Sequence, residues 1–200
     1  MNLDRVPAGK DVPNDCNVVI EIPMHGDPIK YEVDKETGYL RVDRPQRTNS
    51  LPPTLYGFVP RTYCGTRVGA LTETGVGDKD PLDICVLSER PINARDILLQ
   101  AKVIGGLSMV DGGEADDKII AVLDGDNIWG DVHDIADLPK IKTERLQHYF
   151  STYKMIPGKE TDIKVDFVYG REEALKVIAA SQRDYSNHFG HLHTEAKAKE

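Results

Sequence analysis

Apolar and polar residues alternate along several short segments in the first two-thirds of the chain. In residues 17–22 the apolar positions recur with a period of two, and Glu21 falls on the other face. Residues 29–33 alternate in the same way, with Lys30 and Glu32 opposite the apolar positions. A period of two is typical of a strand that buries one face, so both segments are predicted strands.

Further strands are indicated by short apolar runs. After turn residues at 34–38, residues 39–42 are predicted to return as the second strand of a hairpin. The other predicted strands lie near 83–88, 97–104, 119–123 and 164–169. Gly105 and Gly106 follow the second of these and predict a bulge or bend there.

Two segments lack periodicity and are predicted to be irregular. Residues 45–60 are rich in proline, so we expect a loop that presents Tyr56 and Phe58. Residues 61–77 carry several glycines and predict an extended excursion.

The last third of the chain shows a helical pattern. Asp137 and Pro139 mark a predicted helix start, and residues 157–158 a stop. The apolar positions within it follow the spacing i, i+3, i+4, i+7; they are Leu146, Tyr149, Phe150 and Tyr153. A second helix is predicted from about 172 to about 185, before a polar tail that we expect to fray from about residue 190.

Strands followed by helices, rather than alternating with them, favour an α+β fold. Several short strands with glycine bends indicate a small closed OB-like β-barrel, with the two C-terminal helices packed alongside. We see no linker or repeat, so residues 1–200 are expected to form a single domain.

The composition narrows the class of protein. A hydrophobic fraction of 40% and a charged fraction of 29% are typical of a globular chain. The net charge of −8 argues against nonspecific binding to nucleic acid. Three cysteines without CxxC spacing indicate free thiols in a reducing compartment. With no secretory signal and no membrane span in view, we expect a cytoplasmic protein.

One acidic stretch, residues 77–84, stands out for chemistry. Asp78, Asp80 and Asp83 fall within six positions, directly before an apolar run. Carboxylates held this close repel one another unless cations lie among them, and oxygen ligands suit hard cations. The spacing alone is equally consistent with an acidic surface turn. An EF-hand loop matches poorly, because Asp83 takes the position of its glycine.

A multi-metal phosphoryl-transfer site is the stronger interpretation, because the chain supplies both carboxylates and cations. The acidic set is Asp78, Asp80, Asp83, Asp111 and Asp116. The possible cationic partners are Lys30, Arg44, Lys118 and Lys154. Two alternatives stay open: a noncatalytic divalent-cation-binding protein, and an OB-type binding module, which would need basic grooves and stacking aromatics.

Several short motifs occur together in one order along nearly the whole chain. They lie at residues 6–11, 18–23, 28–32, 42–44, 56–58, 78–83, 111, 116–118 and 149–154. With these motifs, and above all the DxDPxD run at 78–83, the chain resembles the soluble family I inorganic pyrophosphatases of bacterial type. The resemblance implies hydrolysis of pyrophosphate to two phosphates, with Mg²⁺ as cofactor, Mn²⁺ as a possible substitute, and a homohexamer.

The resemblance also implies roles for matching residues. The two activating magnesium ions would be held by Asp78, Asp83 and Asp116, with Asp83 bridging them. Asp111 would bind a further magnesium carried by the substrate, and Asp80 would help to deprotonate the nucleophilic water. The phosphate contacts would be Lys30, Arg44, Tyr56, Lys118, Tyr153 and Lys154. Glu21 and Glu32 would orient metal-bound waters or lysines.

The chain departs from the family pattern in a few places. Lys79 stands where the family usually has a small or polar residue, Pro52 where related sequences carry tyrosine, and Gly112 where they often carry glutamate. Residues 61–77 are also longer than in the short bacterial members. The histidines at 188, 191 and 193 fit no common transition-metal spacing, so a solvated tail is the favoured interpretation.

Overall fold

A computed structural model describes residues 6–34, 36–156 and 158–197, with side chains through Gly190. Within these ranges the strands are β1 (Asp15–Ile22), β2 (Ile29–Val33), β3 (Leu40–Pro45), β4 (Leu55–Phe58), β5 (Asp83–Leu87), β6 (Ile97–Asp111), β7 (Glu114–Ala115), β8 (Lys118–Leu123) and β9 (Ile163–Gly170). The α-helices are α1 (Thr66–Gly69), α2 (Lys140–Thr152) and α3 (Arg171–Lys197), with a short 3₁₀ helix at Ile135–Asp137.

Five strands close into a ring in the order β1, β4, β5, β8 and β6, because β6 also pairs with β1. The β5–β8 pair is parallel, and the other pairs in the ring are antiparallel. The register of β6 against β8 shifts between Val103 and Gly105, where the sequence predicted a bend. The predicted α+β fold with a small OB-like barrel is therefore confirmed. Outside the ring, β7 and β9 also pair with β6.

The hairpin of β2 and β3 is a separate two-stranded sheet beside the barrel. Val33 of this hairpin packs in one small apolar cluster with Val19 of β1 and Phe58 of β4. These contacts fix one face of the hairpin on the barrel wall. Lys30 and Glu32 belong to the other face, which borders the cleft described below. Lys35, in the predicted turn, lies outside the described residues.

Each of the two long helices covers a different apolar cluster. Ala174, Val177 and Ile178 of α3 pack with barrel residues such as Ile20 and Ile119. The second cluster is formed by α2 and the outer faces of β5, β6 and β8; its α2 members are Leu146, Tyr149 and Phe150. The expected pair of C-terminal helices alongside the barrel is therefore present, and burial of these faces is what holds both helices.

Residues 45–60 were predicted to be a loop, and this prediction is wrong at its end, where β4 forms. Gly57 lies so close to β1 that a Cβ there would come 1.8 Å from the carbonyl oxygen of Val19. The prolines at 52 and 53 hid the strand from sequence reasoning, because proline is rare inside a sheet. Only a residue without a side chain allows β1 and β4 to pair here.

The extended excursion predicted for residues 61–77 is also wrong in part, because α1 forms within it. Asp184 of α3 accepts hydrogen bonds from the backbone N–H groups of Gly65, Arg67 and Val68 at 2.9–3.1 Å. Four residues give too weak a periodic signal for sequence prediction, and a helix this short needs such outside partners.

The helix boundaries differ from the predicted ones in two places. α2 begins at Lys140, directly after Pro139, and ends at Thr152, so the expected stop at Pro157 falls outside both the helix and the described residues. The second helix was predicted to end near residue 185 and instead continues to Lys197. Fraying of the tail stays a prediction, and residues 198–200 are not described.

Cys16, Cys64 and Cys85 are buried free thiols, in keeping with their expected state. Within the described part of the chain, no helix combines the length and the apolar character that a membrane crossing requires.

Candidate active site

A cleft of about 380 Å³ opens at one side of the barrel, between the β2–β3 hairpin, the loop before β5, the β6–β7 turn and the end of α2. The sequence-predicted site residues line this cleft, with the exception of Arg44. The lining set is Glu21, Lys30, Glu32, Tyr56, Asp78, Asp80, Asp83, Asp111, Asp116, Lys118, Tyr153 and Lys154.

The acidic loop before β5 is held by the backbone of Cys64. Its N–H donates to the carbonyl oxygen of Asp80 at 2.8 Å, and its carbonyl oxygen accepts from the N–H of Lys79 at 2.9 Å. Lys79 has a φ of +66°, a left-handed conformation that is uncommon for lysine. Its side chain lines a different cavity, between α1 and α3, so it points away from the carboxylates beside it.

Asp78 and Asp116, far apart in sequence, both line the cleft, and their carboxylates lie close enough for their charges to interact. Burial, together with the negative charges of Asp116 and Asp83, raises the pKa of Asp78 to about 7. Burial likewise raises the pKa of Asp116, although Lys118 opposes this. The pair therefore has a local excess of negative charge that a bound cation would relieve.

Lys118 lies between two of these carboxylates and is only 2% exposed. Its ammonium group donates to Oδ2 of Asp83 at 2.7 Å and also to Asp116. Burial alone would lower the pKa of Lys118, but the charges of Asp116 and Asp83 outweigh it and hold the pKa well above its ordinary value. The lysine is therefore a permanent cation at the floor of the cleft.

Two tyrosines bring hydroxyl groups into the same space. Tyr56, on β4, donates a hydrogen bond to Asp83. Tyr153 stacks on Tyr149 with ring centroids 5.5 Å apart, and Phe150 packs edge-on against it. Burial, followed for Tyr56 by the charge of Asp83, raises the pKa of both phenols, so that they act as neutral hydrogen-bond donors.

The far end of the cleft carries Asp111, which is paired with Lys154 after α2. Gly112 and Gly113 have φ values of +60° and +85° and form the tight turn from β6 to β7. A two-glycine turn of this kind suits the twist of a hairpin. It places Glu114 opposite Asp111, and Glu114 also lines the cleft.

The hairpin wall of the cleft is a chain of alternating charges. Lys30 pairs with Glu32 and lies 3.4 Å from Asp43, which also pairs with Arg44. Arg44 is opposite Lys30 in the β2–β3 register, at the rim rather than in the lining. Alternating charge keeps the two cations oriented next to the cleft.

Glu21, on β1, is buried and accepts the backbone N–H of Val33 at 2.7 Å. Burial raises the pKa of Glu21 to about 8; the N–H of Val33 opposes this rise, and the charges of Asp83 and Glu32 add to it. Its carboxyl therefore joins the barrel to the hairpin that carries Lys30.

Sequence reasoning missed Glu114 and Asp43. Glu114 follows the glycine turn and lies opposite Asp111 in the β6–β7 register. Asp43 is next to Arg44, which lies opposite Lys30 in the β2–β3 register. Pairing the strands of each hairpin from the sequence would therefore have placed both residues near the cleft. His188 lies elsewhere and stacks on Tyr63, with ring centroids 4.7 Å apart. The side chains of His191 and His193 are outside the described residues.

Among the residues that the structure describes, no three His, Cys, Asp or Glu side chains are arranged to hold one metal ion as they stand. The ammonium of Lys118 takes the position between Asp83 and Asp116 that such an ion would need. The donor set nevertheless fits Mg²⁺, since it consists of crowded carboxylate oxygens and Mg²⁺ needs few protein ligands.

An OB-like barrel with a cleft of converging carboxylates and lysines suits a hydrolase that acts on phosphate groups. A family model for inorganic pyrophosphatase matches residues 18–186. An inorganic pyrophosphatase of Chlamydia caviae is 49% identical over 174 residues, which is 82% of this chain and 81% of the relative. Another, from Ralstonia nicotianae, is 37% identical over 188 residues, covering 92% and 99%.

The structure agrees with the sequence matches. The crystal structure of inorganic pyrophosphatase from Thermus thermophilus superimposes with a TM-score of 0.79 at 33% identity, covering 93% of this chain and 99% of that one. The chain belongs to the inorganic pyrophosphatase family, which confirms the resemblance drawn from its motifs.

Proposed function

We propose that this chain hydrolyses inorganic pyrophosphate to two phosphates in the carboxylate-lined cleft. The observation that carries the proposal is the meeting of Asp78 and Asp116 beside Asp83 and Lys118 in one cavity. Membership of the family points to the same reaction. A small, highly charged anion needs the combination of cations and bound metal that this cleft can supply.

Asp78, Asp83 and Asp116 would hold two Mg²⁺ ions, and Asp111 a further one that arrives with the substrate. Mn²⁺, which prefers the same oxygen ligands, is a possible substitute. When bound, the ions would make a water nucleophilic at neutral pH and neutralise charge on the phosphates.

The remaining roles belong to side chains of the chain itself. Asp80, exposed at the mouth of the cleft, would accept the proton of the attacking water. The phosphate oxygens would be bound by Lys30, Arg44, Tyr56, Lys118, Tyr153 and Lys154. Glu21 and Glu32 would keep the hairpin and its lysine in place, which their contacts with Val33 and Lys30 support.

Lys118 and Lys154 have a second task in this scheme, because both are paired with proposed metal ligands. On binding of substrate, each ammonium would turn from its carboxylate to a phosphate oxygen. The exchange keeps every charge paired throughout, which limits the desolvation cost of loading the cleft.

Phosphate release from pyrophosphate with Mg²⁺ tests the proposal, with Asp83→Ala as the decisive variant. We expect hydrolysis by the unchanged chain and a loss of at least about 100-fold in the variant, because losing even a partner behind a metal ligand costs about 10–100-fold. Asp124→Ala, an exposed aspartate that does not line the cleft, is the matched control and should keep full activity. Equal hydrolysis by Asp83→Ala and the control would refute the proposal.

Three further expectations extend the proposal. Residues 1–200 are expected to form one domain of this family, which the match over residues 18–186 supports. The protein acts in the cytoplasm, which the buried free thiols support. It assembles as a homohexamer, and light scattering after size exclusion checks the mass.

A further inference from the structure

Asp117 lies between two cleft residues but is not part of the cleft lining. It is 8% exposed, and both of its carboxylate oxygens accept hydrogen bonds. Oδ1 accepts the backbone N–H of Met109 on β6 at 3.1 Å, and Oδ2 accepts the hydroxyl of Tyr169 on β9 at 2.9 Å. A buried carboxylate with two such partners is a fixed point in the structure.

Tyr169 is held as firmly as its partner. It pairs with Gly106 in the β6–β9 register, and its ring lies directly over that glycine. A Cβ at Gly106 would come 2.2 Å from the ring, so glycine at this position is what allows the tyrosine to lie flat. The hydroxyl is thereby directed at Asp117 by packing.

A backbone hydrogen bond adds a second link between β6 and the segment at residues 116–117. The N–H of Asp116 donates to the carbonyl oxygen of Met109 at 2.9 Å, so Met109 binds residues 116 and 117 through both of its backbone groups. Asp116 and Lys118, on either side of Asp117, reach into the cleft and pair with each other. Their positions depend on where this segment is anchored.

We propose that Asp117 is a positioning residue, which acts with Tyr169 to hold Asp116 and Lys118 in register with the acidic loop. The inference rests on the proposed function, because Asp116 is there a metal ligand and Lys118 a phosphate contact. Loss of the carboxylate leaves the N–H of Met109 unpaired in the interior. It removes two of the three hydrogen bonds described above, those from Met109 and Tyr169, and leaves only the bond from the N–H of Asp116.

The test measures binding of Mn²⁺ alone by calorimetry, and hydrolysis over a range of Mg²⁺ concentrations. In Asp117→Ala we expect the dissociation constant for Mn²⁺ to rise about tenfold, as is usual for partners behind metal ligands. The deficit in kcat/KM should shrink as Mg²⁺ is raised, because mass action refills a weakened site. Asp117→Asn, which keeps an acceptor for Met109, should recover most of the affinity, and Tyr169→Phe should lie between.

Asp126→Ala separates positioning from general stability. Asp126 is an equally buried aspartate that accepts three backbone N–H groups and does not line the cleft. The Asp126→Ala variant should have a lower unfolding midpoint, as Asp117→Ala does, yet bind Mn²⁺ like the unchanged chain. Unchanged Mn²⁺ binding in Asp117→Ala, or equal weakening in Asp126→Ala, overturns the inference. Tight Mn²⁺ binding by Asp116→Ala would instead overturn the proposed role of Asp116.

Discussion

The ammonium group of Lys118 lies 2.7 Å from Oδ2 of Asp83, although the lysine side chain is only 2% exposed. A second carboxylate, that of Asp116, shares the same ammonium. Charges buried this deeply are tolerated only when they are paired. Removing one partner leaves an uncompensated buried charge, which lowers the stability of the fold. Lys118 therefore stabilises the metal-free cleft, in addition to the contact with substrate proposed for it.

Replacing Lys118 with methionine should lower the free energy of unfolding by about 3 kcal/mol without metal, because Asp83 and Asp116 then repel each other unshielded. Added Mg²⁺ should restore part of this loss, since a cation can take the place of the ammonium. Urea unfolding with and without Mg²⁺ measures both effects. We expect a larger stabilisation by Mg²⁺ in the variant than in the unchanged chain.

Lys140→Met is the control for loss of a lysine. Lys140 is exposed on α2 and pairs with Glu144 at 3.0 Å, so its removal should cost less than about 1 kcal/mol and leave the response to Mg²⁺ unchanged. A Lys118 variant that is as stable as this control would contradict the role assigned to the buried ammonium.

Lys79→Gly should stabilise the protein, because Lys79 holds a φ of +66° that glycine adopts without strain. The gain is about 0.5–1 kcal/mol, after allowing for the greater freedom of glycine in the unfolded chain. Hydrolysis should persist, since the lysine side chain points away from the cleft. Lys79→Ala removes the side chain but keeps the strain; a gain in that variant equal to the glycine variant would show that strain is not the cause.

Asp126 makes a pH-dependent contribution to stability. Burial by itself raises its pKa, but the backbone N–H groups of Trp129, Glu89 and Ile128 outweigh burial and hold the pKa below its ordinary value. Because the folded pKa is the lower one, the stabilisation is complete above the unfolded pKa of about 4 and is lost as pH falls through the folded value.

Asp126→Ala should therefore cost about 2 kcal/mol at pH 7, the value of charge-assisted hydrogen bonds. The difference in unfolding free energy between the two proteins should narrow steadily as the pH is lowered from 5 to about 2. Urea titrations across that range give the curve. A difference that stays constant with pH would mean that the ionised carboxylate is not the stabilising form.

The sequence predicted the parts of the fold whose pattern is local. Alternation located β2 because its two faces differ along five residues, and the helical spacing located α2. β4 was missed because its pairing depends on the absence of a side chain at Gly57. That requirement comes from the close approach of Val19 on β1, which the local sequence does not show. α1 was missed because its partner, Asp184, is remote in sequence.

The candidate site was predictable as a set of residues but not as an arrangement. Motif resemblance brought together Asp78 and Asp116, while spacing alone left an acidic surface turn equally open. Nothing local signalled that Lys118 would pair with Asp83, because that contact depends on the parallel register of β5 and β8. The part played by Asp117 was not predictable either, because its partners Met109 and Tyr169 lie on β6 and β9, and no local pattern pairs them with residue 117.

The cap that Asp184 forms on α1 also bears on the acidic loop at residues 78–83. Gly65, one of its partners, directly follows Cys64, whose backbone forms hydrogen bonds with the backbone of Lys79 and Asp80. The C-terminal helix thus braces the acidic loop of the cleft through the side chain of Asp184 and the main chain of residues 64 and 65. Shortening the protein from its C-terminus past this aspartate would loosen the cleft without deleting a single residue that lines it.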